Sequence, residues 1–198
     1  DEVVDSRMVT SPLHLYECNV LADGASALVV STADAGERNT DDMAYLLSHA
    51  GSVTHYSISQ EADVSRFGWA DAGQRAFARA NLSHDDIDLA EFYDSYPVVS
   101  LITLEELGFV DRGKGGQYVL DGNTEPGGEL PMTTNGGMLS QGHTGAGGGV
   151  AVLVEMARQL MGQAGDRQVS GATNAVETAV GGTYMDAQVS IYSNEDPR

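Results

Sequence analysis

The sequence predicts an α/β layered fold, a mixed sheet covered by helices. Three observations carry that expectation. Short apolar or β-branched runs alternate with stretches whose apolar residues recur at helical spacing. The final segments read as helix, strand, turn and strand, so the sheet closes on sequence neighbours. Apolar residues make up 41% of 198 positions, enough for a core and too many for global disorder.

Taken in order, Asp23-Gly24 marks a turn, and the small and β-branched run Ala25–Thr32 reads as a buried strand. Residues Ala33–Ser48 have a helical pattern, interrupted near Asn39-Thr40, and Val53–Ile58 alternates as a strand would. In Trp69–Asn81, Ala70, Gly73, Ala76, Phe77 and Ala80 share one helix face. Leu89–Tyr93 reads as a short strand running into Asp94. Pro97 suits a first helical turn, with Val98, Leu101, Ile102 and Leu107 behind it. Gly113–Gly137 is a long connection rich in Gly, Pro and Asn. Gly147–Gly162 is the clearest helix, its apolar face Val150, Ala151, Val154, Ala157, Leu160 and Met161. Val169–Thr173 and Tyr184–Tyr192 close the chain as strands around a Gly181-Gly182 turn.

Charge narrows the function. With 29 acidic and 10 basic side chains the formal charge is −19, so no cationic face exists to neutralise nucleic-acid phosphates or an anionic membrane. The longest apolar runs, such as Val150–Val154, are far shorter than the ~20 residues of a membrane span. Cys18 is the only cysteine, which excludes a disulfide framework and a thiolate zinc site, and it reads as a small buried residue. His84-Asp85-Asp86-Ile87-Asp88 lacks the spacing and central glycine of a calcium loop, so it reads as a loop or helix cap and no metal is expected. The chain starts at Asp1 with no signal-peptide pattern. It reads as part of a longer, cytoplasmic product.

Two segments have the composition of a reactive site. Fourteen of the 24 glycines fall between Gly108 and Gly149. Gly136, Gly137, Gly142 and Gly145 surround His143 just before the best helix. Free N–H groups and the positive end of a helix dipole there suit a carbonyl oxygen that becomes an anion. His143, expected as a neutral imidazole, would donate to such an oxygen or move a proton. The alternative is a tight turn with a surface histidine. The second segment, Glu91-Phe92-Tyr93-Asp94-Ser95-Tyr96-Pro97, puts polar groups at the end of a strand, where a cleft forms. Tyr93 would serve as acid or base if its surroundings lowered its pKa, and is otherwise a core tyrosine with its hydroxyl at the rim. Tyr184, next to Gly181-Gly182, is ambiguous on sequence grounds.

Read as an ordered set, these pieces resemble the C-terminal half of the thiolase superfamily, in particular its sterol-carrier-protein type. Asp23-Gly24-Ala25-Ser26-Ala27-Leu28-Val29-Val30, Asp86–Glu91, Asn135-Gly136-Gly137 with Gly142-His143, and Gly181-Gly182 each resemble a family segment in the family's order. The resemblance implies that residues 1–198 form the second of two duplicated α/β halves, with the active site between them. It also implies acyl-CoA as substrate, with no separate cofactor, and a homodimer. In that family a first-half cysteine, the histidine of a Gly-His-Pro motif and a second cysteine near the last glycines do the chemistry. Here His143 matches the histidine but is followed by Thr144. The family's His-Asp-Cys-Phe is Tyr93-Asp94-Ser95-Tyr96, and no cysteine adjoins Gly181-Gly182. These replacements are similar to those of steroid side-chain-cleaving aldolases, which work with an OB-fold partner and need no thiol.

The resemblance therefore implies retro-aldol cleavage of a β-hydroxyacyl-CoA by Tyr93, His143 and Tyr184. Gly136, Gly137, Gly142, Gly145, Gly181 and Gly182 would lie against the substrate. The alternatives are a thiolytic or Claisen acyltransferase with its cysteine in the other half, or a non-catalytic lipid or acyl-CoA carrier. Arg66 or Arg112, or the other half, would supply cations for CoA.

Overall fold

A computed structural model describes residues 2–37 and 42–198. Strands β1 (Met8–Thr10) and β2 (Leu13–His14) form a small antiparallel ladder, followed by a long, mostly irregular arm and the short helix α1 (Ala33–Glu37). The body then runs β3 (Tyr45–Val53), α2 (Trp69–Ala80), β4 (Leu89–Glu91), α3 (Pro97–Leu107), α4 (Gly115–Leu120), α5 (Gly137–Gln141), α6 (Gly148–Leu160), β5 (Asn174–Gly181) and β6 (Asp186–Ser193). The four long-range strands make one mixed sheet in the order β3-β6-β5-β4, antiparallel except for the β4–β5 pair.

Local chemistry explains the helix ends. Pro97 opens α3 with a φ already helical, and Gly108 closes it at φ +86°, where a side chain would be strained. The N-terminus of α2 is capped from another helix: Glu106 accepts the N–H groups of Phe67 and Trp69, both at 2.9 Å. Gly73 lets α2 approach α3 closely, since a Cβ there would lie 2.6 Å from a Leu107 methyl.

The two faces of the sheet differ because side chains alternate along each strand. One face carries Ala50, Ala90, Phe92, Val176, Val189 and Ile191, packed on Trp69, Phe77 and Leu104 of α2 and α3. The other carries Leu89 and Ala175 against Met156, Ala157 and Leu160 of α6. Toward the far end of this second face the apolar residues give way to polar ones. Glu91, Glu177, Ser190 and His49 are successive cross-strand neighbours, one from each strand.

Several expectations are corrected. Ala25–Thr32 has no regular secondary structure and joins neither sheet, and Val29 and Val30 are 93% and 89% exposed. A β-branched run fits a pleated surface only where a strand edge meets it, and none does here. The helical reading of Ala33–Ser48 holds only for α1: its end is already strand β3, and Asn39-Thr40 lie outside the described residues. The strand expected at Val53–Ile58 ends where that reading begins. Strand β5 starts at Asn174, after the Val169–Thr173 segment read as strand. The long glycine-rich connection contains α4. On α6 the buried side is Val152, Glu155, Met156 and Gln159 as well as Ala157 and Leu160, while Val150 is exposed. Two polar residues turn inward because each is fully bonded. Glu155 takes a two-point contact from Arg167 at 3.1 Å, and Gln159 ties Thr134, Arg167 and Val169 to the helix.

Candidate active site

Tyr93 leaves the end of β4 pointing away from the apolar core that holds its neighbour Phe92. Its hydroxyl meets His143 Nε2 at 2.7 Å, the two rings edge to face. His143 is fixed by backbone on one side and by helix on the other. Its N–H donates to Val20 O at 2.7 Å, and its own carbonyl accepts Ala22 N–H at 3.1 Å, so the arm forms an isolated bridge to it. Its ring lies over Gly148, where a Cβ would come 3.1 Å from the imidazole. Gly142, at φ +91°, makes room for Ala22.

The imidazole has a defined orientation of protons. Gly145 N–H donates to Nδ1 at 3.2 Å. A ring nitrogen that accepts carries no proton, so the neutral ring is protonated at Nε2 and donates to the Tyr93 oxygen. The phenolic proton is then left for another acceptor. Burial, followed by the nearby Asp94 charge, pushes the Tyr93 pKa up rather than down, so the expected lowering does not occur. The phenol is built as a donor.

Asp94 and Ser95 organise the rest. Asp94 accepts Met138 N–H at 2.7 Å and Leu139 N–H at 3.3 Å, holding α5 at its first turn. Gly137 is required there, since a Cβ would fall on the Asp94 carboxylate. Burial raises the Asp94 pKa against the pull of these donors. Ser95 Oγ hydrogen-bonds with the Tyr184 hydroxyl. Tyr184 sits in the β5–β6 turn at φ +58°, its ring 5.2 Å from Phe67, and burial also raises its pKa. The structure thus pairs Tyr93 with His143 directly and brings Tyr184 to Ser95, two residues from Tyr93. The N–H groups of Gly136, Gly137, Gly142 and Gly145 are all engaged within the chain, by Thr133 O, Asn135 Oδ1, Met138 O and His143 Nδ1. Gly181 and Gly182 form the turn that carries Tyr184.

A cavity of about 440 Å³ opens beside this pair. Tyr93, Gly145, Gly149 and Val150 line it on one side and Glu177, Ala179, Ser190 and His49 on the other. Its sheet wall contains the residues that sequence reasoning missed. Glu177 is 5% exposed and its pKa is pushed up to about 7 by burial, against a hydrogen bond from Ser190. Ser190 Oγ lies 3.0 Å from His49 Nδ1. Glu91, next in the row, is 1% exposed, and burial carries its pKa to about 8, with the Glu155 and Asp94 charges adding to it. It accepts Thr134 N–H at 3.1 Å and the Thr134 hydroxyl at 2.5 Å. The available signal was one carboxylate inside the apolar run Ala175-Val176-Glu177-Thr178-Ala179-Val180.

Elsewhere the chemistry is structural. A wider groove of about 560 Å³ lies on the α2–α3 side, but its His84 is taken up by Leu107 O at 2.7 Å and by the Phe77 ring. Asp86 caps its own turn through Ser83 N–H and Oγ, both at 2.7 Å. Arg66 and Arg112 both pair with Asp63. Among the described residues no three His, Cys, Asp or Glu side chains are grouped to hold a metal ion, and no helix is long and apolar enough to cross a membrane.

A family model described as thiolase C-terminal domain-like matches residues 50–194. The chain belongs to that family. It is 35% identical to an acetyl-CoA acetyltransferase of Methanothermobacter thermautotrophicus, over 98% of this chain and 51% of that protein. It is 34% identical to a steroid side-chain-cleaving aldolase of Thermomonospora curvata, over 88% and 45%. It is 33% identical to sterol carrier protein 2 of Bos taurus, over 91% and 34%. Among solved structures it is similar to the Ltp2-ChsH2(DUF35) aldolase, with a TM-score of 0.85 and 27% identity, over all of this chain and 52% of that one. The thiolase-like α/β fold is thereby shown. The chain spans about half the length, or less, of the relatives it matches.

Proposed function

We propose that this chain is the second half of an acyl-CoA enzyme that breaks a carbon–carbon bond in a β-hydroxyacyl-CoA by retro-aldol cleavage. The observation that carries the reading is the Tyr93–His143 pair, in which Tyr93 lines the cavity as a phenol that is backed by an imidazole N–H and presents its own proton. Cleavage leaves the electron pair on the thioester as an enolate, and a donor aimed at that oxygen stabilises it. Tyr93 is that donor, His143 orients it, and Tyr184 with Ser95 is a second phenol at the same end of the sheet.

One donor contributes roughly 2.7–4 kcal/mol of the about 8–23 kcal/mol an enzyme supplies. Substrate positioning must add the rest, so a first half of the same fold completes the site and the 198 residues alone are expected to be inactive. That half also supplies cations for CoA, since Arg66 and Arg112 are already paired. A homodimer, and an OB-fold partner subunit of the kind that the resemblance to the aldolases implies, belong to the same proposal.

The test is product analysis. The full-length protein with its partner, given a β-hydroxyacyl-CoA, should release a ketone or aldehyde and a shortened acyl-CoA without consuming free CoA. A strict requirement for free CoA would instead support the acyltransferase reading, which the 35% identity to an acetyl-CoA acetyltransferase favours. Binding without turnover would support the carrier reading.

A further inference from the structure

The site as read has two donors and no base. Both phenols have raised pKa values, and the imidazole proton at Nε2 is spent on Tyr93. Retro-aldol cleavage nevertheless needs a group to take the β-hydroxyl proton and to return one to the α-carbon. We propose that Glu177, Ser190 and His49 form a proton relay that does both. The proposal rests on the retro-aldol reading.

The geometry is a row across three neighbouring strands. Glu177 and Ser190 are cross-strand partners, as are Ser190 and His49, and all three line the cavity that Tyr93 lines. Ser190 has a single hydroxyl proton and stands between its two cross-strand neighbours, its Oγ 3.0 Å from His49 Nδ1 and beside the Glu177 and Tyr192 side chains, so the row itself has two proton arrangements with Tyr192 flanking it. In the first, the Glu177 carboxylate accepts Ser190 O–H, and His49 Nδ1–H donates to Ser190 Oγ, which leaves a lone pair on Nε2. In the second, protonated Glu177 donates to Ser190 Oγ, Ser190 O–H donates to Nδ1, and Nε2 carries the proton.

Cleavage takes the row from the first to the second. The substrate O–H bond breaks toward Nε2, the Nδ1 proton passes to Ser190, and the Ser190 proton passes to Glu177. The Cα–Cβ bond breaks as the carbonyl forms, and its electron pair moves onto the thioester. The reverse shift then delivers the Nε2 proton to the α-carbon and restores the carboxylate. One proton leaves oxygen and one reaches carbon, so no co-reactant is needed.

The surroundings suit such a row. Facing Glu177 are Glu91 from β4, Ser190 and Tyr192 from β6, and His49 from β3, while α6 offers only uncharged Gly149, Val150 and Leu153. No cation pins the Glu177 carboxylate among the described residues. Glu91 stays protonated near neutral pH through its own burial, so it adds no standing charge beside Glu177.

Two measurements test this. Carbon-13 labelling of glutamate side chains, with Glu177→Gln to assign the signal, should show Glu177 titrating near neutral pH. Titration in the ordinary carboxylate range overturns the relay and leaves the retro-aldol reading intact. In the assembled full-length enzyme, Glu177→Gln should lower kcat by about 10²–10⁴-fold and remove the ionisation near neutral pH from the rate profile. Glu177→Asp should restore part of the rate with a displaced profile, and Ser190→Ala should reproduce the loss. An unchanged profile in Glu177→Gln, with cleavage still present, overturns the relay alone. Absence of cleavage by the unmodified enzyme overturns the reading and the relay with it.

Discussion

The two faces of the sheet are made from the same strands and do opposite work. On the face toward α2 and α3 the inward positions are mostly apolar, and the contribution of that face is burial. On the face toward α6, the apolar rows stop after Leu89 and Ala175, and the next row is Glu91, Glu177, Ser190 and His49. Burying carboxyls without a full set of charged partners is costly. The fold meets that cost by keeping them protonated over much of the pH range. The first face supplies stability, and the second spends some of it to hold groups that titrate near neutrality.

Adjacent residues give the sharpest test of that division. Phe92→Ala on the apolar face should cost about 3–5 kcal/mol in chemical denaturation, because it empties a fully buried site. Tyr93→Phe, one position on, should cost the assembled enzyme about 10²–10⁴-fold in turnover and stability by only about 1 kcal/mol. Equal losses of stability from the two would erase the distinction between the faces.

Gly137→Ala should come next. It places a methyl on the Asp94 carboxylate at φ +59°, and a loss of about 2–3 kcal/mol in thermal unfolding is expected. A further effect is in pH dependence. Glu91 and Glu177 have folded pKa values of about 8 and about 7, above the ordinary carboxylate value. Above that ordinary value the unfolded chain has released these protons while the folded chain still holds them. Stability therefore falls as pH rises from about 4.5 toward 8. Glu177→Gln should flatten part of this slope in denaturation at several pH values. An identical slope would show that Glu177 titrates normally in the fold.

How far the sequence reaches differs between the same two faces. Helices α2, α3 and α6 were legible because apolar spacing and, for α3, Pro97 at the first turn act locally. Tyr93 and His143 were legible as candidates because a strand end and a glycine-rich helix start are local features too. Their meeting at 2.7 Å, 50 residues apart in sequence, is not local. Neither is the row across four strands: Glu177 becomes a cavity residue only once β5 lies between β4 and β6. The Ala25–Thr32 reading failed for the same reason in reverse. Its composition suits a strand, but pairing depends on an edge that the composition does not name.

The bridge between Leu21 and His143 has a practical consequence. Leu21 is 83% exposed, and a survey of tolerance based on solvent exposure would score it and its neighbours as freely replaceable. Yet the main chain from Val20 to Ala22 grips the peptide on both sides of the imidazole, so a proline at position 22, which removes an N–H held by that loop, would loosen the ring from a distance. Main-chain grip, rather than surface area, sets what this arm can accept.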